Sequence, residues 1–401
     1  MTGNNKKNET LLAHLGRDPQ RFHGAVNVPV YRASTILEPD LEAWEHPDRR
    51  KRRGGVTYGR SGTPTTFALE EAVARLEGGH GAVALPSGLA AISVALLAFV
   101  EAGDHILVTD AVYRPGRRFC DTILKRLGIE TTYFDPLIGT DIKTLFRPNT
   151  RLVYLESPGS LTFEVQDVPA IASCAKAAGL TVILDNSWAT PLYFQPFAHQ
   201  VDVSVHAGTK YIVGHSDAML GIVVGRDEEI EDRLRKTARG LGVCAGTEEL
   251  FLGLRGLRSL AVRLTRHHQN AMALTDWLAA RPEVERVLYP ARPDDLGHAI
   301  WQRDFSGASG LFGFVLAKPT PQHALAALID GLELFGIGAS WGGYESLMIP
   351  IDKELKERSV LPGPFGGPGL RVHAGLEDPE DLIADLEAGF ARMNDAARAS
   401  A

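Results

Sequence analysis

The chain has 401 residues, 44% of them hydrophobic, and a formal net charge of −7. That is enough apolar material for more than one packed domain, and the acidic balance excludes a global field that would recruit nucleic acid. Cys120, Cys174 and Cys244 are far apart and form no CxxC pair, so neither a disulfide framework nor a metal site is expected.

The N-terminus, MTGNNKKNET, carries no apolar segment behind its lysines, and no secretory signal is expected. The longest apolar stretch, 89–100, is too short to cross a membrane. A soluble cytoplasmic protein is the expectation. Residues 1 to about 60 read as an irregular arm, broken by Pro29, Pro39 and Pro47. It contains the basic run DRRKRR at 48–53, a solvated stretch in an acidic chain. Tyr58-Gly59-Arg60-Ser61-Gly62 follows, ahead of a helical pattern at 65–76. Tyr and Arg among glycines suit an anion site, and an ordinary turn with a surface Arg fits equally well.

From residue 80 short β-rich runs alternate with helical ones. Strands are expected at 82–85, 106–109, 131–134, 152–155, 181–184, 201–205 and 219–224. Helices are expected at 89–100, 117–127 and 168–178. Such alternation predicts a mostly parallel sheet covered by helices on both faces, with ligands at the carboxyl ends of the strands. A long amphipathic segment at 247–280, interrupted near 253–256, leads to a smaller α/β unit after Pro282. That unit has strands at 310–316 and 370–373 and helices at 323–332 and 378–393.

Four residue groups fall at expected strand ends. Lys210 follows the small-residue turn Ala207-Gly208-Thr209; a partly buried amine is a nucleophile toward carbonyls, although a lysine can also snorkel to solvent. Asp185 ends a buried run and needs a cationic or hydrogen-bonding partner to stay ionised, unless it caps the following turn. Ser87, Gly88 and Leu89 open a helix with free amides, a phosphate cradle or a plain cap. Tyr113 is an aromatic face or a surface ring. A Schiff-base lysine, a carboxylate for a pyridinium nitrogen, an aromatic face and a phosphate cradle are what pyridoxal phosphate needs. No GxGxxG occurs in a strand-to-helix setting, which argues against a dinucleotide site.

The motifs YGRSGTPT, DNSWATP, GTKYIVGHSDAM, SWGGYESL and LRVHAGLEDPEDL resemble the Cys/Met-metabolism family of pyridoxal-phosphate enzymes. The resemblance runs from about residue 10 to 393. It implies the aspartate-aminotransferase-like α/β fold of PLP-dependent transferases (fold type I), with a mostly parallel central sheet and a smaller C-terminal α/β domain. The implied divisions are an arm at 1–60 reaching a neighbouring subunit, a PLP-binding domain at 61–256 and a small domain at 257–401. By the same resemblance, Lys210 forms the Schiff base, Asp185 pairs with the ring nitrogen and Tyr113 stacks on the ring and assists catalysis. Gly88, Leu89 and Thr209 meet the phosphate, and Tyr58 and Arg60 reach that of the neighbouring subunit. Arg371 binds the substrate α-carboxylate, helped by Ser340 and Trp341. Ala207 stands where many relatives carry a second hydroxyl.

GHSDAM, SWGGYESL and PGSLTFEV most resemble the bacterial cystathionine β-lyase branch, and the turn Ser157-Pro158-Gly159-Ser160 lacks the Asn usual on the γ side. The implied activity is cleavage of a thioether amino acid, L-cystathionine, to homocysteine, pyruvate and ammonia in methionine biosynthesis. The implied assembly is a homotetramer of dimers that share active sites, with no metal, nucleic acid or membrane partner. A γ-lyase, γ-synthase, sulfhydrylase or cysteine-conjugate β-lyase is the alternative within the family. A noncatalytic or nucleotide-binding protein on the same kind of sheet is the alternative outside it.

Overall fold

The computed structural model describes residues 6–46, 55–361 and 365–399; the basic run at 48–53 lies outside them. Seven strands form the larger sheet: β1 (Gly81–Leu85), β2 (His105–Thr109), β3 (Glu130–Phe134), β4 (Thr150–Glu156), β5 (Thr181–Asp185), β6 (Val203–His206) and β7 (Gly221–Gly225). Their order is β1-β7-β6-β5-β4-β2-β3. Only β7 runs antiparallel to its neighbours; β2 through β6 pair in parallel. The expected, mostly parallel sheet is therefore present.

These strands read clearly because helices cover both faces, so their residues are apolar on both sides. All five residues of β2 and of β7 are buried. Each fully buried Leu, Ile or Val contributes roughly 1.5–3 kcal/mol. The strand expected at 201–205 begins two residues later and ends on His206, and that expected at 219–224 begins at Gly221. The helix expected at 117–127 begins at Arg114 and passes through one π-helical turn, Cys120–Leu124.

The N-terminal stretch is less irregular than expected. Helix Asn8–His14 buries Leu12, and Phe22 and Val28 are buried with it against helices Pro64–Glu77 and Thr247–Leu257. The interruption of the long amphipathic segment falls at Arg258-Ser259, just past the expected glycines, between helices Thr247–Leu257 and Leu260–Ala279.

Five further strands form a second sheet in the order β10-β11-β12-β9-β8. They are β8 (Val284–Leu288), β9 (Leu311–Leu316), β10 (Phe335–Gly336), β11 (Ser346–Pro350) and β12 (Gly369–His373). Only β9 and β12 are expected from the sequence. They are the fully buried pair, whereas β8, β10 and β11 are part-exposed, and β10 is two residues long.

One carboxylate ties the segment at 359–361 to the larger sheet. Asp110 follows β2, its side chain fully buried, and accepts from the backbone N–H groups of Ser359 (3.1 Å), Val360 (2.9 Å) and Leu361 (3.0 Å). It also pairs with Arg117. Burial opposes its ionisation, but these amides and the guanidinium prevail and hold its pKa below the usual range. A depressed pKa contributes stability above the ordinary carboxylate pKa and loses it as pH falls through the folded value. Asp110→Asn should therefore cost ~3–5 kcal/mol at pH 7, since it strands a buried guanidinium. Urea unfolding of the variant should show that difference shrinking in acid.

Candidate active site

The carboxyl ends of β4, β5 and β6 open into a cavity of about 340 Å³. Its lining includes Ser87, Gly88, Leu89, Tyr113, Glu156, Asp185, Thr209, Lys210, Trp341 and Arg371. Residues as far apart in sequence as Ser87 and Arg371 thus meet where the parallel sheet ends, as this architecture requires.

Helix Gly88–Leu97 starts at the cavity, capped by the Ser87 hydroxyl, which accepts from Ala90 N–H at 3.1 Å. The cap reading of Ser87 is therefore correct, and it leaves the first-turn amides of Gly88 and Leu89 without acceptors inside the helix. Gly88 is needed by close approach: a Cβ there would meet the Ala207 Cβ at 2.7 Å.

Lys210 lies on the turn after β6. Its Nζ donates to Ser340 Oγ at 2.5 Å and sits 5.2 Å from the Trp341 ring centroid. Burial, helped by the Arg371 charge and opposed by Asp185, brings the amine down to about 8. Thr209 adjoins it, but its hydroxyl is engaged: it accepts from Leu220 N–H at 2.8 Å and donates to Leu220 O at 3.1 Å. Gly342, at φ +87°, presses on this turn, and a Cβ there would lie 3.0 Å from Lys210 Cα. Ser340 is itself left-handed at φ +85°, a strained conformation for a residue with a side chain.

Arg371, on β12, is 9% exposed. Its Nη2 donates to Ser340 O at 2.8 Å, and its Nε is buried without a partner. Burial lowers its pKa to about 10. Among the described residues no carboxylate lies within ion-pair range of it. A desolvated, unpaired guanidinium is costly, and an anionic ligand would remove that cost.

Asp185 ends β5. Its Oδ1 accepts from Ser187 N–H at 2.9 Å, the local turn contact that is the alternative role of this residue. Burial raises its pKa, while Ser187, His206 and Lys210 favour the anion. Behind it, Glu77 receives the Ser204 hydroxyl, His206 Nε2 (2.9 Å) and Asn186 Nδ2 (3.1 Å). Tyr113, 41% exposed, stands at the mouth, its N–H donating to Glu156 Oε2 at 2.7 Å. Its hydroxyl is held protonated by burial and by the nearby Glu156 and Asp185.

Tyr58 and Arg60 are not brought to this cavity within one chain. Tyr58 is 46% exposed, and Arg60 lines a separate shallow depression, donating to Arg239 O at 3.3 Å. Among the described residues no group of His, Cys, Asp and Glu could hold a metal, and no helix is long and apolar enough to cross a membrane. Sequence reasoning missed Glu156 and His206. The signal for both was available: each is a polar side chain ending a buried strand, as Asp185 is.

The donor set suits pyridoxal phosphate. Free helix-start amides suit its phosphate, a buried carboxylate short of a cation suits a protonated ring nitrogen, and a desolvated amine suits its carbonyl. The chain is 44% identical to the cystathionine β-lyase MetC of Escherichia coli K12, over 97% of this chain and 99% of that protein. It is 40% identical to an L-alanine/L-glutamate racemase of Wolbachia pipientis wMel, over 96% and 98%. The crystal structure of metB from Corynebacterium glutamicum superposes with a TM-score of 0.90 at 30% identity, over 98% and 99%. A model of the Cys/Met metabolism PLP-dependent enzymes matches residues 9–391, and the chain belongs to that family.

Proposed function

We propose that the chain is a carbon–sulfur β-lyase that cleaves L-cystathionine to homocysteine, pyruvate and ammonia. The observation that carries the reading is the pair Lys210 and Arg371, both hydrogen-bonded to Ser340 in one cavity. It sets a base beside a carboxylate receptor, as α-amino-acid chemistry needs. The thioether substrate rests on the likeness to the Escherichia coli enzyme.

When bound, pyridoxal phosphate supplies an electron sink for the pair left at Cα. Lys210 would hold it covalently, Gly88, Leu89 and Thr209 would meet its phosphate, and Tyr113 would cover its ring. For Thr209 this means redirecting a hydroxyl now engaged with Leu220. Asp185 would keep a proton on the ring nitrogen. Arg371, with Ser340 and Trp341, grips the substrate α-carboxylate and fixes which Cα bond faces Lys210. Once the substrate amino group has displaced it, Lys210 Nζ is a free amine with a pKa brought down to about 8, and it takes the Cα proton. Tyr113 Oη or Lys210 Nζ then protonates the departing sulfur.

Tyr58 and Arg60 would complete the phosphate site of a neighbouring subunit, in a homotetramer of dimers. Their distance from the cavity of their own chain supports that role. The arm at 1–60, large domain at 61–256 and small domain at 257–401 fit the separate five-stranded sheet that begins at Val284. A cytoplasmic location suits a pathway of methionine biosynthesis.

The test is product analysis with L-cystathionine and cofactor-loaded protein. Pyruvate supports the β-lyase reading. 2-Oxobutyrate would replace it with γ-cleavage, and interconversion of alanine enantiomers without either oxoacid would replace it with racemisation. Arg371→Lys should lower kcat/KM by about 100-fold, mainly through KM, because an ammonium cannot reproduce the bidentate grip. Steady-state kinetics would check it.

A further inference from the structure

Beside Asp185 the cavity holds a second carboxyl that the mechanism above leaves unused. Glu156 ends β4 as Asp185 ends β5, and the two are register partners in the parallel pairing. Register partners on adjacent strands point to the same face, about 4.8 Å apart at the backbone. Both line the cavity. Two carboxylates so close and so poorly hydrated do not both ionise.

The surroundings decide which one keeps the charge. Asp185 has the Ser187 N–H at 2.9 Å, with His206 and Lys210 close by. Glu156 has the Tyr113 N–H and, as its nearby cation, Arg358. That guanidinium is already occupied, by Glu164 Oε1 at 3.2 Å and Ser160 O at 2.7 Å. Tyr154, two residues back on β4, has its buried hydroxyl beside Asp185 and stays neutral. Tyr113 is likewise neutral; Lys210 favours the Asp185 anion, and Arg371 acts on Tyr113. Burial, then the Asp185 charge, pushes Glu156 well above the carboxylate range.

We propose that Glu156 is a positioning residue that carries a proton beside Asp185 and anchors the Tyr113 backbone at the cavity mouth. The pair then bears one negative charge, located on Asp185, where a protonated ring nitrogen would meet it. Glu156 acts through its two neighbours and takes no part in bond breaking. This inference rests on the pyridoxal-phosphate reading of the same site.

The test compares Glu156→Gln and Glu156→Ala as cofactor-loaded proteins. Visible absorbance is followed against pH, and visible circular dichroism reports how the bound cofactor is held. Glutamine reproduces a neutral carboxyl that accepts from Tyr113 N–H. The absorbance midpoint of Glu156→Gln should stay within about 0.3 pH unit of wild type, with its dichroism retained. Glu156→Ala should lose much of the dichroism and about 10- to 100-fold in kcat, with Gln restoring both. A midpoint moved by a unit or more in Glu156→Gln would mean an ionised Glu156 and overturn the proposal. So would an alanine variant indistinguishable from wild type. The Gln measurement decides the protonation state even if the alanine variant does not fold. Wild-type protein that acquires no visible band would overturn the cofactor reading as well, whereas the other failures would leave it standing.

Discussion

Lys210→Ala should reduce elimination from L-cystathionine by at least ~10⁴-fold, because one side chain is assigned both the covalent tie and the Cα base. Removing a general base alone typically costs ~10²–10⁴-fold. The fold should survive, since the substitution removes a desolvated amine whose hydrogen bond is to Ser340 alone. Pyridoxal phosphate should still bind, held by the helix-start amides and Asp185, but dialysis should now remove it. The wild-type apoprotein offers a companion measurement. Its amine titrates near pH 8, and the neutral form is the nucleophile, so cofactor reloading should accelerate as pH rises toward that value and then level off. Near-normal turnover in Lys210→Ala would end the assignment of this lysine.

Asp185→Asn is expected to be the second most damaging change. The carboxylate is buried and held by Ser187 N–H, with His206 and Lys210 favouring its charge. Asparagine keeps the shape and the Ser187 contact but supplies no anion. Losing one member of a buried ion pair costs ~3–5 kcal/mol, which is an effect of roughly two to nearly four decades in rate at 1.36 kcal/mol per decade. The loss should fall on kcat more than on KM, because the carboxylate stabilises charge that develops after substrate has bound. It should be accompanied by weaker cofactor retention. Steady-state kinetics with fluorescence titration of the cofactor would check both, and an Asp185→Asn enzyme with wild-type kcat would remove Asp185 from the mechanism.

The sequence made the larger sheet legible because its strands are covered on both faces. Runs such as Ile106-Leu107-Val108 and Ile222-Val223-Val224 have no reason to be uniformly apolar otherwise. The same rule explains the misses. Val284–Leu288, written VERVL, has two exposed charged residues and pairs along one side only, so its pattern is that of a loop as much as a strand. Asn8–His14 was hidden among polar residues and prolines, and its burial of Leu12 comes from tertiary packing rather than from helix propensity.

At the site, Lys210, Asp185 and the Gly88 turn could be singled out because a charged or small residue at the end of a buried strand is costly unless used. Glu156 carried the same signal, yet its meaning depends on which strand lies beside it. Chain order does not state that β4 and β5 are neighbours in register. Likewise Ser340 lies 130 residues from Lys210 in sequence and is hydrogen-bonded to it in space. The sequence alone thus determined the fold class and singled out Lys210, Asp185 and Gly88 as candidates, since burial and strand-end placement leave a local trace. Only the tertiary structure decided that Arg371 is desolvated and unpaired, that Tyr58 and Arg60 stand away from their own chain's cavity, and that the Glu156 and Asp185 carboxyls are register partners in one cavity. Desolvation and charge balance depend on every neighbour in space, whatever their separation along the chain.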